Sequence, residues 1–381
     1  MKAATLAWLE NKLSRLTTIL PATTVISKYS IERVNFLKKL AAEPPPSPYV
    51  PPKELERSLW GIKFRGPLMN AAGMFKNGEC YTHVAHEGAA AGLFGTGTFN
   101  QRDGNVHEAT GTRLPFVAYR RSHAASNWLG LPNDGDETNY KVAGFDRIND
   151  CAVGWSLMGS PNFQGQEKLD KLVESFWLYE KAGADFFEIN ESCPNTRHGR
   201  PQDDDLAKRL GYFADNFLAR RERRLPVVVK FSNDTQPEQL PALMDLLFSL
   251  GYDGVNFGNT SIDYPKRRQF IHASERALYD SFTTDKRVFG VGGGVSGAPL
   301  KLDSLLLCDR AVQYKKAGGP TREFHVIRTG GVQGAQDIVE SDSVGVSLNQ
   351  WFTGRWEAFA EHGWDSYRVV HEEYRKLRAA Q

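Results

Sequence analysis

Asp185-Phe186-Phe187-Glu188-Ile189-Asn190-Glu191-Ser192-Cys193-Pro194-Asn195-Thr196 is the stretch on which the fold turns. Its first half, behind Gly183, is a short apolar run that reads as a buried strand. Its second half sets two carboxamides and a thiol at the end of that strand. Each amide offers donors and an acceptor at fixed geometry, suited to the edge of a flat polar heterocycle. A thiol there moves a proton if its pKa suits the task. The competing reading is a plain turn, with Cys193 a small buried apolar residue.

Similar short apolar runs lie at 67–72, 91–96, 152–158, 226–231, 253–258, 324–329 and 343–348. With 185–190 they make eight. Helical patterns fit between most pairs, at 167–182, 204–222, 236–250 and 300–317. Eight strands alternating with helices over roughly 300 residues predict a TIM (β/α)8 barrel. A doubly wound sheet is the alternative, but no Gly-x-Gly-x-x-Gly opens the first strand–helix unit.

A barrel of this kind carries its chemistry just after its strands, at one rim. The predicted strand ends hold Ala72-Gly73 with Lys76, Thr98, Ser156, Asn190, Lys230, Gly258-Asn259-Thr260, Gly330-Gly331 and Ser347. A long excursion after the second strand holds Asn127-Trp128-Leu129-Gly130-Leu131-Pro132-Asn133. Gly330 and Gly331, and the cluster Gly292-Gly293-Gly294-Val295-Ser296-Gly297, precede helices and let backbone N–H groups approach a phosphate. Lysine avoids burial unless paired. Lys76 and Lys230 in a barrel mouth therefore require an anion, unless they point to solvent. The run Lys266-Arg267-Arg268 reads as a solvated basic turn.

The 381 residues are 41% hydrophobic and 24% charged, ordinary for a soluble globular chain. A net charge of +2 gives no reason to expect nucleic acid as a partner. Cys80, Cys151, Cys193 and Cys308 form no CxxC pair, so neither a metal site nor a disulfide framework is expected. No apolar run reaches the ~18 residues of a membrane span. Residues 1–43 read as an amphipathic helical hairpin, 3–20 and 25–41, hinged at Pro21. It holds seven basic residues against three acidic, a net of +4. Such a pair can lie on an anionic membrane or pack on the main domain. Residues 44–58, opening on Pro44-Pro45-Pro46, read as a stiff linker, and 59–381 as the barrel domain.

Taken together, these segments resemble the dihydroorotate dehydrogenase family of FMN-dependent barrels, from about Gly61 to Gly354. Ala71-Ala72-Gly73 with Lys76-Asn77-Gly78-Glu79, and Thr98 with Arg102-Asp103-Gly104-Asn105, are similar to the flavin loops of its quinone-using, membrane-linked class. Asn127–Asn133 is similar to the substrate loop, and Asn190–Asn195 to the catalytic segment. The resemblance implies FMN against Ala72, Gly73, Lys76, Thr98, Ser156, Asn190, Lys230, Gly258, Gly297, Gly330, Gly331, Ser347 and Leu348. It implies orotate or dihydroorotate against Lys76, Asn127, Gly130, Leu131, Asn190, Asn195, Asn259 and Thr260, with Cys193 as the general base. It implies quinone reaching the site through the N-terminal helices, and a peripheral location on an inner membrane, bacterial or mitochondrial, in a protein otherwise cytoplasmic.

The chain departs from the membrane-linked pattern at several positions. Cys193 stands where that class has serine, and Leu131 where it has phenylalanine. Phe75 replaces an acidic residue, and Ser156 an asparagine. These departures keep open an enzyme acting on another dihydropyrimidine or enone, or one using fumarate or another soluble acceptor. A barrel that binds without catalysis is the third possibility. A thiol near ~8.5 is a better base at neutral pH than a serine hydroxyl, which needs a relay. The polar stretch 197–205 reads either as a lid over substrate or as a solvated loop.

Overall fold

The computed structural model describes residues 2–14, 19–143, 146–192 and 205–380. The expected (β/α)8 barrel is present. Its strands are β1 Leu68–Asn70, β2 Ala91–Gly97, β3 Ala152–Leu157, β4 Phe186–Asn190, β5 Val227–Phe231, β6 Gly254–Phe257, β7 His325–Thr329 and β8 Leu348–Trp351. From β2 to β8 each strand pairs with the next in the chain, and β8 pairs with β1, all in parallel. The strands read as near-continuous apolar runs because both faces are covered, one by the barrel interior and one by helices.

The helices are α1 Ala3–Leu13, α2 Ala22–Ala42, α3 Tyr81–Glu87, α4 Asp136–Ala143, α5 Gly165–Lys181, α6 Leu206–Phe213, α7 Leu240–Leu250, α8 Tyr264–Arg268, α9 Arg276–Thr283, α10 Lys301–Gly318, α11 Ala335–Val344, α12 Thr353–His362 and α13 Ser366–Ala379. A hairpin, Arg57–Leu59 with Ile62–Phe64, plugs the N-terminal end of the barrel. There Leu59, Trp60 and Phe64 pack on Met69, Phe186 and Val228. At the opposite rim, Phe116–Tyr119, Ala124–Asn127 and Gly294–Gly297 form a small antiparallel sheet. Val25, Ile26 and Tyr29 of α2 are buried against this sheet and α9. The N-terminal hairpin is therefore anchored on the domain, while Trp8, Leu13, Ile19, Leu20 and Ile31 stay exposed.

β1 and β2 share no strand ladder, and the side chain of Asn70 closes that joint. Its Nδ2 donates to the Leu93 carbonyl (2.6 Å), and its Oδ1 accepts from the Leu93 N–H (3.2 Å). Above it the Gly73 N–H donates to the Gly95 carbonyl at 2.6 Å. Asn70 is 1% exposed, so Asn70→Ala strands two buried backbone groups. We expect that variant to lose about 2–4 kcal/mol. An unchanged thermal midpoint would show that the joint needs no amide.

The last strand lies further along the chain than the apolar pattern predicts. Ser343 and Val344 end α11, Gly345 caps that helix at φ 90°, and β8 begins only at Leu348. Val344-Gly345-Val346-Ser347-Leu348 looks like a strand because it is apolar. The true strand carries buried Asn349 and Gln350, which an apolar pattern passes over. The Lys266–Arg268 reading also needs correction. Arg267 is 1% exposed, bonds Ser261 Oγ and the Pro299 carbonyl, and pairs with Asp303 at 2.5 Å.

Candidate active site

The C-terminal ends of the strands open into one cleft of ≈ 970 Å³, its mouth included. Of the residues expected at the flavin, Ala72, Gly73, Lys76, Asn190, Lys230, Gly297, Gly330 and Gly331 line it. Of those expected at the substrate, Asn127, Leu131, Asn190, Asn259 and Thr260 line it too. Cys193, Asn195 and the stretch 197–204 lie outside the described residues.

The floor of the cleft is a polar layer inside the barrel. The register sets Asn190 beside Lys230, and Lys230 beside Asn256. Lys230, 3% exposed, points inward, and its Nζ reaches Glu188 Oε1 at 3.2 Å and Gln350 Oε1 at 3.3 Å. Glu188 Oε2 accepts from Asn256 Nδ2 (2.7 Å) and Gln350 Nε2 (2.9 Å). The anion that a buried lysine requires is thus supplied by the strand two positions before Asn190.

Beside this layer the carboxamides lock one another. Asn190 Nδ2 donates to Thr96 Oγ1 (2.9 Å), and its Oδ1 accepts from the N–H and hydroxyl of Ser192. Asn259 Nδ2 donates to Ser192 Oγ at 2.8 Å, and Asn259 Oδ1 accepts from the Thr260 N–H at 2.9 Å. Amides held this way present fixed edges to a planar ring. At one end of the cleft Gly330 (φ 104°) and Gly331 (φ 77°) lie against the start of α10. A Cβ on Gly331 would sit 2.3 Å from the Lys301 backbone, so only glycine allows this turn. Backbone donors beside a helix start suit a phosphate. The donor set therefore fits a phosphorylated ring cofactor: a backbone cradle at one end, then Lys230, Asn190 and Gln350 along a polar heterocycle.

Several expected contacts fall elsewhere. Ser347 and Leu348 lie at the plugged end of the barrel: Ser347 bonds His325, and Leu348 joins the interior cluster of the hairpin. With β8 displaced along the chain, Gln350, Phe352 and Thr353 line the cleft instead. Thr98 is tied up with Asn133 and Asn100, and Thr96 lines the cleft in its place. Ser156 stands behind Thr96, 3.2 Å between hydroxyls. Gly258 is pressed on the Thr329 carbonyl, and Gly130 on Asn105. Both shape the loops from behind. Phe75 is 1% exposed and packs toward Trp356, so its apolar side chain fills core rather than facing the cleft.

Arg33, from α2, is a lining residue that the strand-by-strand reading did not find. It borders both the cleft and a second cavity of ≈ 1740 Å³ beneath α1 and α2. Leu6, Leu9, Leu13, Phe36, Leu37 and Trp356 give that cavity its apolar wall. Burial lowers the Arg33 guanidinium to about 10, opposed by the charge of Glu79. Glu10 of α1 accepts from Tyr29 (2.7 Å) and pairs with Arg120, pinning the outer helix to the rim.

Burial also raises the thiols of Cys80 and Cys308 to about 12 and raises that of Cys151. None of these three is poised as a base near neutral pH.

The family model described as Dihydroorotate dehydrogenase matches residues 54–369. The dihydroorotate dehydrogenase (quinone) of Trichodesmium erythraeum is 28% identical over 309 residues, 79% of this chain and 74% of its own. That of Christiangramia forsetii is 26% identical over 330 residues, 84% of this chain and 87% of its own. A crystal structure of DHODH from Eimeria tenella in complex with ferulenol shares the fold, with a TM-score of 0.75 at 21% identity over 92% of each chain.

Proposed function

The chain belongs to the dihydroorotate dehydrogenase family, flavin-dependent oxidoreductases acting on a CH–CH donor; from that premise we propose that it binds FMN, oxidises dihydroorotate to orotate and passes the electrons to a quinone. The observation that carries this reading is the convergence of Lys230, Asn127, Asn190 and Asn259 on one cleft beside the Gly330–Gly331 cradle.

Oxidation removes a proton from the ring carbon next to a carbonyl and a hydride from the adjacent carbon. When bound, FMN supplies the hydride acceptor at its N5. Cys193, three residues past the end of β4 in the sequence, takes the proton. Asn127, Asn190, Asn195 and Asn259 hold the pyrimidine edges, and Lys76 meets the substrate carboxylate. Gly297, Gly330 and Gly331 hold the phosphate, and Lys230 faces the ring. A site built from amides rejects analogues that leave those amides unpaired.

The apolar cavity under α1 and α2 receives the quinone, with Arg33 where it meets the cleft. Exposed Trp8, Leu13, Ile19, Leu20 and Ile31, on a hairpin of net charge +4, support peripheral contact with an anionic inner membrane. Among the described residues no helix is long and apolar enough to cross a membrane. Cys193 and Leu131, residues of the soluble class, favour a soluble acceptor such as fumarate as the second reading.

The test separates the two half-reactions. Dihydroorotate added without air should bleach the yellow protein, and a short-chain quinone should restore the colour. Arg33→Ala should slow recolouring by about ten- to a hundredfold, the loss of one charge-assisted hydrogen bond, and leave bleaching unchanged. Bleaching by dihydrouracil but not dihydroorotate would overturn the substrate. Recolouring by fumarate alone would overturn the acceptor.

A further inference from the structure

The Lys230–Glu188 pair has a consequence beyond holding the barrel floor together. Both side chains are almost fully buried, at 3% and 2% exposure. Both Glu188 oxygens accept hydrogen bonds, from Lys230, Asn256 and Gln350, the pattern of a carboxylate. Asn256 and Gln350 are fixed in turn by Thr329, whose hydroxyl lies 2.9 Å from each amide oxygen. A carboxylate clamped from several strands cannot swing away from the lysine. Lys230 lines the cleft, and Glu188 sits one ammonium group behind it.

We propose that Glu188 is a positioning residue that sets the reduction potential of the bound flavin through Lys230. This rests on the flavin-binding reading above. A cation beside the ring favours the reduced, negatively charged form, and alone it would raise the potential. A fixed negative charge directly behind that cation opposes the effect. In a water-poor interior the opposition is strong, because buried charges are little screened. Glu188 thereby keeps the flavin a strong enough reductant to release its electrons to the acceptor, and keeps Lys230 aimed into the cleft.

The test is a spectroelectrochemical titration of the FMN-loaded protein and two variants. Glu188→Gln keeps the shape and removes the charge. Its flavin should be easier to reduce by at least tenfold in the equilibrium, a rise of about 30 mV for a two-electron couple. Glu188→Asp keeps the charge and should stay within about 10 mV of the parent, a shift of roughly twofold. An unchanged or lowered potential in Glu188→Gln overturns the proposal. If Glu188→Gln holds no flavin, Glu188→Asp decides: flavin retained at the parent potential supports the proposal. Loss of flavin from both variants, or an equal rise in both, assigns Glu188 to packing and overturns it. A parent protein that binds no FMN, or is not bleached by dihydroorotate, refutes the functional reading instead; a bleachable parent whose Glu188→Gln potential does not rise refutes only this inference.

Discussion

Lys230→Met is expected to empty the protein of flavin and to lower its stability by about 3–5 kcal/mol. The lysine is the cation that Glu188 is buried with, and removing one partner of a buried pair leaves the other charge uncompensated. Methionine fills much of the same volume, so a packing defect contributes little. The loss should appear as a reduced ratio of flavin to protein absorbance and a lowered thermal midpoint of the flavin-free chain. A second change, Glu188→Gln with Lys230→Met, should recover much of the stability, since both charges then leave together and an amide oxygen still accepts from Asn256 and Gln350, but none of the flavin. A Lys230→Met protein that stays yellow and equally stable would remove Lys230 from the site.

Cys193→Ala is expected to lower the rate of bleaching by dihydroorotate by about 10²–10⁴ while the protein stays fully yellow. The magnitude is that of removing a general base, and no expected flavin contact is touched. Cys193→Ser should fall between, with activity displaced to higher pH, because a hydroxyl needs stronger base assistance than a thiol. The other three thiols are buried with raised pKa values and do not substitute for it. Stopped-flow absorbance without air measures the effect. Bleaching at the parent rate in Cys193→Ala would take the proton-transfer role away from this residue.

The barrel is legible in the sequence because its strands are buried on both faces, so Phe186–Ile189 and Val227–Val229 stand out as apolar runs. The cleft is legible where a residue type has few other uses, as with Lys230 and the Gly330–Gly331 pair. Reading fails where a barrel interior is polar. Asn349 and Gln350 hid the last strand, and with it the lining residues Phe352 and Thr353. It also fails where partners are far apart in sequence. Nothing near Glu188 marks it as the counter-ion of a lysine 42 residues on. Arg33 belongs to a hairpin read as a separate appendage, and only the packing of α2 on the rim sheet brings it to the cleft. Thr96 and Thr98 have the same local pattern; which one faces inward depends on Asn133, in a loop 35 residues away.

The Asn70 joint makes this barrel a cask with one stave pegged rather than glued. Ala71–Gly73 on one side and Gly95–Thr96 on the other continue that pegged edge upward into the wall of the cleft. The hoop is held there by the Asn70 amide and a few backbone bonds, Ala90 N–H to the Leu68 carbonyl, Gly73 N–H to Gly95 and Gly95 N–H to Lys76, so loosening that one side chain loosens the wall of the cleft itself.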